Sequence, residues 1–265
     1  NRQSPRKPTL ASNQQVILRK RRIQAFHTLF TLLAPNECSS SVQEFATNIM
    51  QTNSSSTVTG DKIPAYHRTS DKFIPRYNGP SPSEMTEGQR SIRDSIVESR
   101  PRTGISGPFG PWIAVPAIAD PSQQLGKACR YGTSLSMRES EIVILLTGAK
   151  HKSHAEFDIH QGEALRAGVS LEIISAIPRD NEFSLENVKT KVLPLLNQEE
   201  REAAIALFTA ELLDTSTISN ETYNATKDAL DGKDSTIVEI TSIVGYYTYC
   251  AYTLNVFNIP CISPK

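Results

Sequence analysis

The chain has 265 residues, 38% of them hydrophobic and 21% charged, and its 28 basic side chains balance 28 acidic ones. That length suits one globular domain, alone or with an extension, and the neutrality argues against a general nucleic-acid or anionic-membrane binder. No apolar run approaches the roughly 20 residues that span a bilayer; the longest, over residues 237–257, is broken by Glu239, Asn255 and several tyrosines. The four cysteines, Cys38, Cys129, Cys250 and Cys261, are scattered, with no CxxC pair and no zinc-ribbon spacing. They read as reduced, mostly buried thiols.

Residues 1–15 are polar and basic, without the apolar core of a signal peptide, and read as a tail on a protein expected in the cytoplasm. Residues 16–34 predict an amphipathic helix. Ile17, Ile23, Phe26, Leu29, Phe30 and Leu33 fall on one stripe, with Arg19 to Arg22 mostly opposite as a solvated face and His27 as a packing residue. A second short helix is expected over 41–50. Residues 51–84 are rich in Ser, Thr, Asn, Pro and Gly and read as a linker or surface loop. Within it, Ile63, Tyr66, Phe73, Ile74 and Tyr77 are anchor types that suit packing along a groove. The chain therefore divides into an N-terminal extension, 1–84, and a helical domain, 85–265.

The domain opens on a helix over 85–99, with Thr86 as cap and Gln89 completing a capping box. A loop with the only tryptophan follows at 104–112, then a helix over 121–131 with Leu125, Ala128 and Cys129 inward. Ser136 and Glu139 form a second capping box ahead of Ile142 to Leu146, an apolar run too broad for one face, so that helix is buried. Helices are further expected over 170–176, partly over 186–196 where Pro194 cuts them, over 197–213 capped by Asn197, over 219–230 capped by Ser219, and over 235–255. No segment alternates with period two between hairpin turns, so strands are not expected and the class is all-α.

Chemistry concentrates between residues 139 and 170, which hold three of the five histidines, His151, His154 and His160. Glu156 and His160 stand at i,i+4 on one helix face, and Glu141 heads the neighbouring buried helix. Such a Glu–His pair is commonly no more than a surface pair. His151 and His154 match no familiar metal spacing, so neither a metal nor a cofactor is expected.

Four separated blocks carry a resemblance: SGPFGPW at 106–112, RYGTSL and RESEIVIL within 130–145, SHAEFDIHQGEALRAGVS at 153–170, and IVEITSIVGYYTYCAYTLNVFNIP at 237–260. In this order they resemble the carboxymuconolactone decarboxylase-like family of the alkylhydroperoxidase D-like superfamily, over about residues 85–260; residues 1–84 have no counterpart in its compact bacterial members. The resemblance implies an all-helical domain assembled into homo-oligomers (dimers, trimers or hexamers) with the active site near subunit contacts. It also implies two related helical halves, with Glu239 heading the last helix as Glu141 heads the buried one. In the superfamily's peroxidase branch, a CxxC pair begins twelve residues after the glutamate. Here Ser153 and Glu156 stand at those two positions, while His160 keeps the place of the histidine. The proton-handling frame is retained and the redox pair is absent, and thiol peroxidase chemistry needs that pair.

What the resemblance then implies is the lactone decarboxylase branch, which performs acid/base chemistry without a cofactor. Ala155 replaces the aromatic usual before the glutamate, and Asp158 and Gly162 also depart, so the pocket floor differs. The long N-terminus resembles members recruited to specialised biosynthesis. In this reading His160 is the general base or acid, Glu156 orients it or transfers a second proton, and Glu141 relays a proton or fixes His160. Trp112, Phe109, Tyr131 and Tyr246 are candidate pocket walls, with Ser153 and His154 beside them, and Arg130 can hold a carboxylate or enolate. The expected function is decarboxylation, enolisation, isomerisation or cyclisation of a small carbonyl or lactone-type substrate, without nucleic-acid or membrane partners. The alternative is a non-catalytic oligomer that binds a small molecule or scaffolds a partner. A peroxidase-type oxidoreductase using Cys129 or Cys250 has no residue pattern behind it.

Overall fold

The computed structural model describes residues 74–101, 103–196 and 200–260, all within one compact unit, Ile63–Lys265. The helices expected over 16–34 and 41–50, the reading of His27, the anchors Ile63, Tyr66 and Phe73, and Asn197 as a cap lie outside the described residues. Among the described residues every regular element is helical, with no strand. None of these helices is long and apolar enough to cross a membrane.

Helix α1, Glu87–Ser99, starts at the predicted capping box, where the Thr86 side chain accepts from the Gln89 amide and the Gln89 side chain answers to the Thr86 amide. The segment read as a loop instead contains a short helix, α2, Phe109–Ile113, whose five residues are all buried. Helix α3, Pro116–Tyr131, begins five residues earlier than expected. Pro116 suits a first helical turn, where its missing N–H costs nothing. Pro121 lies inside the helix and removes the donor for the Ala117 carbonyl, but both residues are exposed, so water can serve it. The inward face is Ala119, Gln123, Gly126 and Cys129; Leu125 and Ala128, expected inside, are exposed.

That inward face lies against α10, Asp234–Phe257, and the approach is tightest at Gly126. A Cβ placed on Gly126 would fall 2.1 Å from the Tyr246 hydroxyl and 2.4 Å from its ring carbon. Tyr246 is buried, so the ring has little room to yield. Gly126→Ala is expected to lower stability by about 1–3 kcal/mol through overpacking, read as a lowered denaturant midpoint with a change in Trp112 fluorescence.

Helix α4, Met137–Lys150, is the central helix of this unit. It is buried from Glu139 through Ala149 and packs against α5 (His154–Arg166), α8 (Glu200–Thr215) and α10. A helix covered on every side needs apolar residues on every side, which is what the run from Ile142 to Leu146 supplies. Its start is the predicted Ser136–Glu139 capping box. The tight turn into α5 places Lys152 in the left-handed region, φ 53°, and the Ser153 amide donates to the Gly148 carbonyl at 3.0 Å. The two helices therefore run antiparallel, and their facing sides meet side chain to side chain.

Of the remaining helices, α7 (Leu185–Lys191) and α9 (Asn220–Ala229) pack against α8, and α6 (Leu171–Ala176) packs against the turn at 193–196. Ser219 caps α9 as expected, and Pro194 falls in a 3-10 turn, Leu193–Leu196, beyond the end of α7. Residues 74–77 bind the far end of α10. The Arg76 amide donates to the Phe257 carbonyl at 2.8 Å, its guanidinium to the Val256 carbonyl at 2.7 Å, and Asn258 to the Ile74 carbonyl at 2.9 Å. A cation on the last carbonyls of a helix is favourable. Tyr77 packs on Phe257, whereas Ile74, an expected anchor, is exposed.

Candidate active site

The α4–α5 hairpin brings the three predicted ionisable residues together. His160 Nδ1 lies 2.9 Å from Glu141 Oε2, and His160 Nε2 lies 3.4 Å from Glu156 Oε1. Glu141 is fully buried and also pairs with the Arg130 guanidinium from α3, whose other nitrogen is 3.4 Å from Glu163. The side chains thus form one chain of contacts: Glu163, Arg130, Glu141, His160, Glu156. Tyr247 closes the imidazole from above, edge to face at 5.0 Å.

With Glu141 ion-paired to Arg130, we assign the imidazole proton to Nδ1, donated to Glu141, which turns Nε2 toward Glu156. Burial works against the charge on Arg130, but the carboxylates of Glu141 and Glu163 outweigh it, and the guanidinium pKa is raised. Burial pushes the Glu156 carboxyl up to about 7; His160 pulls it down and Glu141 pushes it further up. Glu156 therefore exists as acid and as carboxylate at neutral pH, beside an imidazole nitrogen that can accept. Burial likewise holds the Tyr246 and Tyr247 phenols above their ordinary range.

That shift carries a stability consequence. The folded state binds the Glu156 proton more tightly than the unfolded chain, whose carboxyl titrates near 4.5. The resulting stabilisation is whole below that value and is lost as pH rises through about 7. It amounts to at most about 3–4 kcal/mol, at roughly 1.36 kcal/mol per pH unit. Glu156→Gln is expected to remove this part of the pH dependence, so urea midpoints of wild type and variant should diverge between pH 4.5 and pH 8, wild type falling further; parallel curves would contradict it.

Glu156 and His160 open onto a cavity of about 320 Å³, at the lower end of small-ligand sites. Its walls are Phe109, Tyr131, Tyr246 and Tyr247, with Arg130 and Glu163 on the side of the charge chain and the 103–108 segment forming the rim. Of the residues expected at the site, Glu141 stands behind His160 and does not reach the cavity. Trp112 sits one layer back, edge to face with Phe109 at 5.6 Å, stacked on Tyr249 at 4.6 Å, and donating its indole N–H to Thr253 at 3.0 Å. Ser153 is buried in the α4–α5 turn, and His154 turns toward Asp180 at 3.5 Å, so neither lines the cavity. His151 bonds Thr248 at 3.0 Å and packs on Tyr252, so the three histidines do not converge. Glu239 accepts from the Ser134 amide and hydroxyl, and is no counterpart of Glu141 in its contacts.

Glu163, Tyr247 and Arg100 are among the wall residues that escaped the sequence reading. Glu163 continues the spacing of Glu156 and His160 along one face of α5, a signal that was present. Tyr247 is buried core as well as wall, and its place in the long apolar run does not separate the two. Arg100 had no local signal, since it follows the end of α1 and becomes part of the wall only through the fold. Cys250 lines the cavity too and Cys129 is buried nearby; both thiols are free, and burial raises their pKa values.

The chain matches no protein-family model and no curated protein.

Proposed function

We propose that this chain is a cofactor-free acid/base enzyme acting on a small carbonyl or lactone-type metabolite, a decarboxylase or isomerase in type, of the carboxymuconolactone decarboxylase-like kind and working as a homo-oligomer. The observation that carries it is His160, held between two buried carboxylates at the wall of an aromatic cavity. His160 Nε2 takes a proton from the carbon next to a carbonyl. Glu156, as the acid, gives its proton to the developing enolate oxygen, and the imidazolium formed is stabilised by Glu141. Return of a proton to a different carbon isomerises the substrate. For a β-keto acid bound as its carboxylate, loss of carbon dioxide leaves an enolate that takes the Glu156 proton at oxygen; His160 Nε2 then takes the enol O–H proton and delivers it to carbon as the carbonyl re-forms, and Glu156 regains a proton from water. Glu141 touches no cavity atom and acts as a positioning residue. Thiol chemistry is disfavoured by the raised pKa values of Cys129 and Cys250, since the thiolate is the reactive form.

The test is turnover of a panel of β-keto acids and unsaturated lactones, followed by ultraviolet absorbance and carbon dioxide release. Activity is expected without added cofactor and in the presence of a chelator. An absolute requirement for a metal or a thiol reductant would contradict the reading. Saturable binding with no turnover of any member would favour the alternative of a binding protein.

A further inference from the structure

Two arginines stand on the cavity wall, and they differ in one respect. Arg130 is matched by Glu141 and Glu163. Arg100 is buried, yet among the described residues it forms no ion pair. Its contacts are to neutral acceptors: Nη1 to Ser99 Oγ at 2.9 Å and Gln123 Oε1 at 3.5 Å, and Nη2 to the Gln123 carbonyl at 3.0 Å. A guanidinium carries five N–H donors, so these three contacts leave donors over. Phe109 covers one face, 4.6 Å from the guanidinium carbon to the ring centroid, which fixes the plane of the fork. A buried cation without a counter-charge is costly to keep. One that borders a cavity can find its counter-charge in a ligand.

We propose that Arg100 is the anion receptor of this cavity and that the ligand is a planar, conjugated monocarboxylate, its carboxylate on Arg100 and its ring system among Phe109, Tyr246 and Tyr247. A carboxylate accepts two parallel N–H bonds from an arginine fork, and the aromatic walls favour a flat partner. The anion-holding role expected of Arg130 thereby passes to Arg100, because Arg130 is already neutralised. The inference rests on the acid/base reading only for direction: the anion at Arg100 leaves the rest of the molecule to face Glu156 and His160.

Binding of 2-naphthoate and of its neutral isostere 2-naphthamide, each measured by calorimetry at pH 7 on the full chain, tests this apart from turnover. Wild type is expected to bind the acid at least tenfold more tightly than the amide. Arg100→Gln should bring the two to within about twofold by weakening the acid alone, and Arg100→Lys should keep part of the preference. Equal binding of the two probes by wild type, binding of neither, or a preference that survives Arg100→Gln overturns the proposal. Should Arg100→Gln fail to fold, loss of the whole preference in a folded Arg100→Lys does so. A tenfold preference in a chain that transfers no protons removes the enzyme reading and leaves this one standing; turnover without any preference does the reverse.

Discussion

His160→Ala is expected to lower turnover by about two to four powers of ten, the usual contribution of a positioned acid/base group, while the chain stays folded. His160 borders the cavity, so its removal enlarges a space that water already reaches and does not open a sealed void. The loss should fall on kcat more than on KM, since the imidazole acts on the proton in flight. Of the forces on Glu156, His160 is the largest that pulls its pKa down. In the variant the Glu156 carboxyl therefore titrates above its present value, and the residual pH profile moves to higher pH. A structural role for His160 would lower the amount of folded protein and leave kcat per folded molecule near the wild-type value. Full turnover in a folded His160→Ala would end the acid/base proposal.

Glu141→Ala is expected to have the largest effect on stability, about 3–5 kcal/mol, the range for stripping one partner from a buried charge pair. Glu141 is 0% exposed and holds Arg130 and His160 at once. Its removal leaves a buried guanidinium with Glu163 alone, at 3.4 Å, and an imidazole with no acceptor at Nδ1. Glu141→Gln separates geometry from charge. The amide oxygen still accepts from Arg130, while its NH2 faces Nδ1 of His160, so a neutral imidazole must carry its proton on Nε2 and no longer offers a base to the cavity; the variant should fold, bind the naphthoate probe as wild type does, and lose kcat. Denaturant midpoints, probe affinity and kcat measured together check this. A Glu141→Ala chain as stable as wild type would show that the contact chain is not a structural unit.

How far the sequence carries can be judged from particular residues. The capping boxes at Thr86 and Ser136 are local, with both partners within three residues, and both form as read. Helix α4 was legible because an apolar run broader than one face has no arrangement except burial. The juxtaposition of Glu141, Glu156 and His160 followed from spacing within one antiparallel hairpin. Contacts between distant segments were not legible. Trp112 read as a pocket wall, but its indole N–H needs an acceptor and finds it on Thr253, 141 positions away. The register of α3 was misjudged because Pro121 looked like a helix start, whereas exposure to water lets a proline stand inside the helix. Its inward face then followed from the place of Tyr246, whose hydroxyl leaves no room for a side chain at Gly126. Arg100 lacks any local pattern, for a cation becomes a receptor only when the fold places it beside a cavity and away from carboxylates.

The central claim is that His160 moves a proton to or from carbon without a cofactor. Its most direct measurement is exchange of the acidic carbon-bound proton of a turned-over β-keto acid or lactone, or of its decarboxylation product, followed by nuclear magnetic resonance in deuterium oxide with a chelator present. Wild type is expected to incorporate deuterium at that carbon well above the rate in buffer alone, and His160→Ala to fall to within about tenfold of buffer. Exchange at the wild-type rate in a folded His160→Ala, or none in a wild type that still turns the substrate over, would contradict the account.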